Sequence, residues 1–372
     1  MFKIMMKNNI LLLSIIWLIV VNAAGLLAVN RLNLKADDAY SWISAERYNQ
    51  HKSWNIINIH SRWDSNWYIN LIENGYERKA DDTLSNLVFL PLYPLLVKII
   101  SMFSLGNIAF AGWIVSSIFL VLSCMLMAKM IREFHKESDP LFSVFLLLIF
   151  PTAFFLNAVY TESLFLFLSL GAFYFTFKKK YFLAGIIGFL ASLTRVTGIL
   201  IFLPLVVQVL INEGINLQGL KKSLPLLLIP TGLLLFFAYH WVFFGDPLLF
   251  FKIENAWGRS FTFNKDHFVF LSNASLSNFY LDIIYSIFSL GVSLYLLKIK
   301  KYPYAIYMAS TILVAFATGT LMSIGRYILI LFPIYILGGS IKSEILKYSW
   351  IIVSAMLMAM NTYLFVNWYW AG

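Results

Sequence analysis

The chain has 372 residues, of which 60% are hydrophobic and only 12% charged, with a formal net charge of +10. A soluble domain ordinarily carries roughly 25% charged residues, so the composition excludes an ordinary soluble enzyme. Apolar runs of about 17 to 25 residues, long enough to cross a hydrocarbon core of roughly 30 Å, recur along the sequence and leave no stretch for a soluble domain of usual size. The expected fold is therefore all-α, a polytopic integral membrane protein forming one domain over residues 1–372 in the lipid bilayer.

The first apolar run, residues 9–29, follows Lys3 and Lys7. It is longer than a signal-peptide core and ends in VNRLNLK without a small-residue cleavage site, so a retained first span is expected. A polar stretch, residues 31–105, follows as a first outer loop. Further apolar runs predict spans at about 107–129, 140–157, 161–177, a hairpin across 181–212, then 223–244, 279–297, 303–320, 325–341 and 348–368. The total is eleven.

Orientation follows from the basic residues, which in membrane proteins concentrate in short cytoplasmic loops. Clusters at Lys3 and Lys7, at 129–136, at 178–180, at 221–222, at 298–301, and at Lys342 and Lys347 hold 15 of the 28 lysines and arginines. Placing all of them in the cytoplasm puts the N-terminus inside and residue 368 outside. This also accounts for the positive charge without nucleic acid. The run LVFLPLYPLLVKIISMF, residues 87–103, would invert every later loop if it crossed. Its Pro91, Pro94 and Lys98 argue instead for an interfacial or re-entrant segment within the outer loop.

With that orientation the distinctive polar motifs gather on one face. In HSRWDSNWYINLIENGYE, residues 60–77, Asp64 or Ser65 can cap a helix whose Asn66, Asn70, Glu73 and Glu77 recur on one side. Trp67, Tyr68, Leu71 and Ile72 supply the apolar side of an amphipathic helix in the interface. Helix capping with an aromatic belt accounts for these residues as well as catalysis does. Arg195 and Arg326 each adjoin an apolar run near the outer boundary, where a guanidinium must be solvated, paired or set against an anion. Snorkelling suffices for one such arginine; two on one face, with Arg259 nearby, point to a phosphate or diphosphate. Glu162 is the obvious ion-pair competitor. His240 reads as a structural histidine, and Cys124 can form no intrachain disulfide. No metal-ligand cluster or nucleotide-binding signature is present, so no cofactor is expected, with a divalent metal left open.

The blocks RWDSNWYINLIENGY, FLPLYPLL, FPTAFFLNAVYTESLF, ASLTRVTGIL and SIGRYILILFP, in that order over about residues 60–335, resemble the PIG-V type mannosyltransferases, relatives of GPI mannosyltransferase II within the GT-C glycosyltransferase class. The resemblance implies transfer of a sugar, mannose above all, from a polyprenyl-phosphate donor to a hydroxyl of a lipid-linked or cell-surface glycan, at the outer face of the plasma membrane. The aromatic, lysine-rich and nearly cysteine-free composition looks prokaryotic. By that resemblance the catalytic acidic residue of the first outer loop matches Asp64. Arg195, Arg326 and Arg259 would bind the donor phosphate, Glu162 and Tyr160 would line the sugar site, and Trp63 and Trp67 would stack on sugar or isoprene. A transporter or flippase for a lipid-linked glycan is the competing class. It calls for polar groups on discontinuous helices near the bilayer midplane and for two corresponding halves.

Overall fold

The computed structural model describes residues 2–29, 57–79, 81–259 and 276–371. Residues 31–56 and 80 of the expected outer loop 31–105 lie outside the described residues. Every regular element among those described is a helix. Six helices are long and apolar enough to cross a membrane: Asn8–Ala28, Ile108–Phe134, Val196–Glu213, Leu217–Phe244, Tyr280–Lys298 and Glu344–Val366. Glu162–Phe177, Tyr181–Ser192 and Tyr302–Ala317 are shorter apolar helices at expected positions.

Two expected spans are broken. Residues 140–157 form helix Pro140–Leu148 and then a separate 3-10 turn, Ala153–Leu156. Residues 325–341 form Ile324–Leu329 and Pro333–Gly338. A proline stands at each break, Pro151 and Pro333, where the missing N–H and the ring clash with the preceding turn stop an α-helix. Within the first break the Pro151 carbonyl accepts a hydrogen bond from Asn361 Nδ2 at 3.1 Å. The run 87–103 contains one helix, Leu92–Ser101, of 10 residues. At about 1.5 Å per residue it is roughly 15 Å long, half a hydrocarbon core.

The chain divides into two compact units, one of residues Met1–Glu73, Tyr93–Phe167 and Ile334–Gly372, the other of Asn74–Leu92 and Leu168–Pro333. In the first unit, helices Phe2–Ala28, Ile108–Phe134, Pro140–Leu148 and Glu344–Val366 pack together. Capping fixes three of the starts: Asn107, Asp139 and Ser343 each accept the backbone N–H three residues on. At Gly112 a Cβ would sit 2.6 Å from Val159, so only glycine lets the 157–160 segment lie against that helix.

In the second unit Leu228–Phe244 packs along Tyr181–Ser192. Gly185 and Gly188 face it, and a Cβ on either would meet Pro225 O at 2.3 Å or Ile229 at 2.5 Å. Small residues that bring backbones together are a usual contact between helices in lipid. At one end of this unit two basic clusters converge on Glu213: Lys179 Nζ lies 3.5 Å from its Oε1, and Lys222 pairs with Oε2. The Tyr181 hydroxyl donates to the same carboxylate at 2.7 Å. The lysines assigned to one face thus meet in space. Helix Tyr181–Ser192 runs from that end toward Arg195, which follows its last turn.

Candidate active site

Asp64 lies in the first unit, in the residue preceding helix Ser65–Asn74. Its carbonyl accepts the first helical N–H groups, from Trp67 at 3.0 Å and Tyr68 at 3.3 Å, so of the two expected caps, Asp64 and Ser65, it is Asp64 that occupies the N-cap position. The residue is partly buried, while Arg62, Ser65 and Asn66 on either side are buried. The helix itself departs from expectation. It ends at Asn74, before Gly75 at φ +80°, so Glu77 lies outside it. Asn66, assigned to the polar face, is buried with Ser65, Tyr68, Ile69, Leu71 and Ile72. Tyr68, Ile69, Leu71 and Ile72 form its buried side, while Trp67 and Asn70 are partly exposed and Glu73 and Asn74 exposed, so the helix keeps a polar edge at Asn70 and Glu73.

The turn before the helix is held from several directions. The Tyr160 hydroxyl accepts the Asp64 N–H at 3.1 Å and donates to the Arg62 carbonyl at 3.0 Å. Tyr160, expected to line the sugar site, is fully buried. His60 O accepts the Val159 N–H at 3.0 Å. The His60 ring stacks on Trp113 with centroids 5.6 Å apart, and its Nε2 lies 2.5 Å from Asn22 Oδ1. Asn22 Nδ2 donates to Asn157 Oδ1 at 2.9 Å, and Asn157 Nδ2 to Ser117 Oγ at 2.8 Å. With its amide occupied as donor, Asn22 accepts from a neutral Nε2–H. Burial first, and the Arg62 cation second, push the His60 imidazole down to about 3, which agrees with that assignment.

Trp63 has φ +55°, a left-handed conformation that costs a side-chain-bearing residue roughly 1–2 kcal/mol. Its indole N–H donates to Tyr369 O at 3.2 Å, and its ring meets Trp370 edge-on at 5.1 Å. Those contacts engage the group assigned by resemblance to stacking on a sugar or isoprene. Trp67 remains half-exposed. Glu162 opens helix Glu162–Phe177 and is fully buried, with its carboxylate in the first turn, where the helix macrodipole favours negative charge.

The second unit holds the three arginines, and two of them share one aromatic ring. Arg195 lies 5.3 Å and Arg259 5.7 Å from the centroid of Tyr327. Arg259 Nη1 also donates to the Tyr327 hydroxyl at 2.8 Å. Arg326 precedes Tyr327 in the short helix Ile324–Leu329 and is 6% exposed, whereas Arg195 is half-buried. Arg195 caps the 3-10 segment Val196–Ile201. The Gly198 N–H returns to the Arg195 carbonyl at 2.9 Å, and a Cβ on Gly198 would fall 2.4 Å from Ala191 O, so the TRVTG motif needs its glycine to turn here. Guanidinium groups present planar forks of donors that match phosphate oxygens.

Sequence reasoning assigned no part to Tyr327 or Arg62, although both stand inside quoted motifs. A tyrosine beside an arginine is ordinary in an apolar helix, and only the fold shows that Arg259, 68 residues away, bonds to it. His240 is fully buried, 4.3 Å from the Phe236 ring, and neither ring nitrogen has a hydrogen bond, so it is not the satisfied structural histidine expected. Among the described residues no three His, Cys, Asp or Glu side chains are grouped so as to hold a metal ion.

The sequence model of the family described as Mannosyltransferase (PIG-V) matches residues 1–202, more than half of the chain. The chain belongs to the PIG-V mannosyltransferase family. It is accordingly a glycosyltransferase and, with its apolar helices, a multi-pass membrane protein. The matched stretch includes Asp64, Tyr160, Glu162 and Arg195, while Arg259 and Arg326 fall beyond it. No curated protein matches the chain.

Proposed function

We propose that this PIG-V family member transfers mannose from polyprenyl-phosphate mannose to a hydroxyl of a lipid-linked or cell-surface glycan, at the extracytoplasmic face of the plasma membrane. The observation that supports the reading is an acidic residue, Asp64, partly buried on a backbone fixed by buried partners, inside the part of the chain that the family model covers. The proposed reaction is a single displacement with inversion. The acceptor oxygen attacks the anomeric carbon, the bond from that carbon to the phosphate oxygen breaks, and the hydroxyl proton passes to Asp64. The macrodipole of helix Ser65–Asn74 favours negative charge at its N-cap, so Asp64 orients the hydroxyl by accepting its hydrogen bond and takes the proton late. Arg195, Arg259 and Arg326 bind the phosphate and stabilise the charge that grows on it as polyprenyl phosphate leaves. Glu162 and Trp67 contact sugar or acceptor.

The basic clusters meeting at Glu213 support the orientation, since they gather on the end of their unit opposite Arg195. Mass spectrometry of surface glycans and lipid-linked sugars in cells with and without the protein tests the whole reading. Loss of one hexose from a defined glycan, with build-up of the shorter precursor, is the expected result. Unchanged glycans, or accumulation of a complete lipid-linked glycan on the cytoplasmic side, would overturn it, the latter in favour of a flippase.

A further inference from the structure

We propose that residues Val366–Trp370, beyond the stretch that the family model matches, form a clasp that positions Asp64 for transfer; the inference rests on the catalytic reading of Asp64 given above. Helix Glu344–Val366 ends in a Schellman motif: the Trp368 N–H bonds Phe365 O at 3.1 Å and the Tyr369 N–H bonds Leu364 O at 3.0 Å. The left-handed position of that motif normally takes glycine, yet here it is Trp368, at φ +70°. Its ring carries the Arg62 guanidinium at 4.8 Å, and Arg62 Nε donates at 3.1 Å to Val366 O, a helix-end carbonyl with no partner inside the helix. Arg62 is 1% exposed, so its charge is satisfied inside the protein.

The next two residues grip Trp63, Tyr369 through its carbonyl and Trp370 through its ring. The contacts therefore fall on Arg62 and Trp63, the two residues immediately before Asp64. Two tryptophans, Trp63 and Trp368, hold left-handed conformations on the two sides of one interlock. Backbone strain of this kind persists only where the surroundings over-determine it, and it gathers at functional sites. The residue that this turn carries next is Asp64, whose N–H is itself bonded and which is only partly buried. Arg62, Trp63, Trp368, Tyr369 and Trp370 are thus positioning residues.

Trp368→Gly separates this role from a merely structural one. Glycine relieves the left-handed strain, so a helix end with no other task keeps or raises its thermal stability and keeps its activity. The clasp predicts preserved stability with kcat down about tenfold and KM for the donor unchanged, measured with radiolabelled polyprenyl-phosphate mannose in membrane vesicles. Trp370→Leu should act alike and Trp370→Phe should restore most of the rate. In an Asp64→Asn background Trp368→Gly should add no further loss, since both changes act through one carboxylate. A second arm does not depend on activity: on an Asp64→Cys chain, Trp368→Gly should speed labelling by a membrane-impermeant maleimide several-fold. Unchanged kcat with unchanged labelling, or an additive loss in the Asp64→Asn background, would overturn the clasp. Full transfer by Asp64→Asn alone would instead end the catalytic reading, and the labelling rate would still decide the clasp.

Discussion

The turn that carries Asp64 and the segments that carry Arg195, Arg259 and Arg326 differ in how their functional groups are held. Around Asp64 many of the contacts reach the backbone: Tyr160 bridges the main-chain groups on either side of Trp63, His60 O takes the Val159 N–H, and Arg62 is fixed to a helix-end carbonyl. Around Tyr327 the contacts are between side chains, two guanidinium groups on one ring, borne by a 3-10 turn and short helical pieces. A group that must accept one hydrogen bond along one direction benefits from a fixed backbone. Groups that must surround a phosphate, whose charge is spread over several oxygens, can be long side chains that adjust. The difference predicts that damage to the first cluster appears in kcat and damage to the second largely in donor KM.

Four experiments press on that contrast. Asp64→Asn should lower kcat by roughly 10²–10⁴-fold, the range for removing an acid–base group, with donor KM little changed. A large rise in KM instead would mean that the carboxylate serves binding and that the contrast is false. Arg195→Ala or Arg326→Ala should cost about 2.7–4 kcal/mol of transition-state stabilisation, roughly 10²–10³-fold in kcat/KM, with much of it in KM. Arg195→Lys should recover little, because an ammonium lacks the planar fork and stacks poorly on Tyr327. Tyr160→Phe leaves the Asp64 N–H and the Arg62 carbonyl short of a partner. A penalty of about 1–3 kcal/mol follows, about tenfold in kcat. The same hydroxyl loss at Tyr327 should change donor KM only a few-fold, because the ring under both guanidinium groups remains.

The smallest effect expected at neutral pH concerns stability. His60 is held neutral with its pKa at about 3 against 6.5 for the ordinary imidazole, so between these values the unfolded chain binds the extra proton. The stabilisation is complete above about pH 6.5 and is lost progressively as pH falls toward 3. Thermal unfolding in detergent should therefore show a midpoint falling across that window, and His60→Gln should flatten the fall. An equally steep fall in the variant would assign the dependence to other groups.

Much of this was readable in the residues. Asp64 is the N-cap because a short polar acceptor stands before an apolar-periodic run, and the arginines stood out because charge beside an apolar run demands a reason. Other features were misjudged for local causes. The runs 140–157 and 325–341 counted as continuous spans because apolar length outweighed Pro151 and Pro333, yet each proline stops its helix. The polar face drawn through Asn66, Asn70, Glu73 and Glu77 holds at Asn70 and Glu73 and misses at its two ends, because Asn66 packs inside the protein and the helix stops at Asn74. Contacts between distant parts of the chain left no local trace. Arg62 meets Val366 across 304 residues, and nothing near either position marks the pair.

The Pro151 carbonyl has a consequence for the order of assembly. Its partner, Asn361, lies 210 residues later in the chain. An unsatisfied backbone group away from water costs several kcal/mol, and irregular backbone at bilayer depth survives only when other protein covers it. While the ribosome is still making the intervening segments, the break after helix Pro140–Leu148 must borrow water or lipid headgroups. It acquires its final ligand only when the helix Glu344–Val366 inserts. Assembly of this unit thus waits on a helix made about 200 residues after the break, and a stall in synthesis before that helix should leave the early helices in the membrane yet open to proteases.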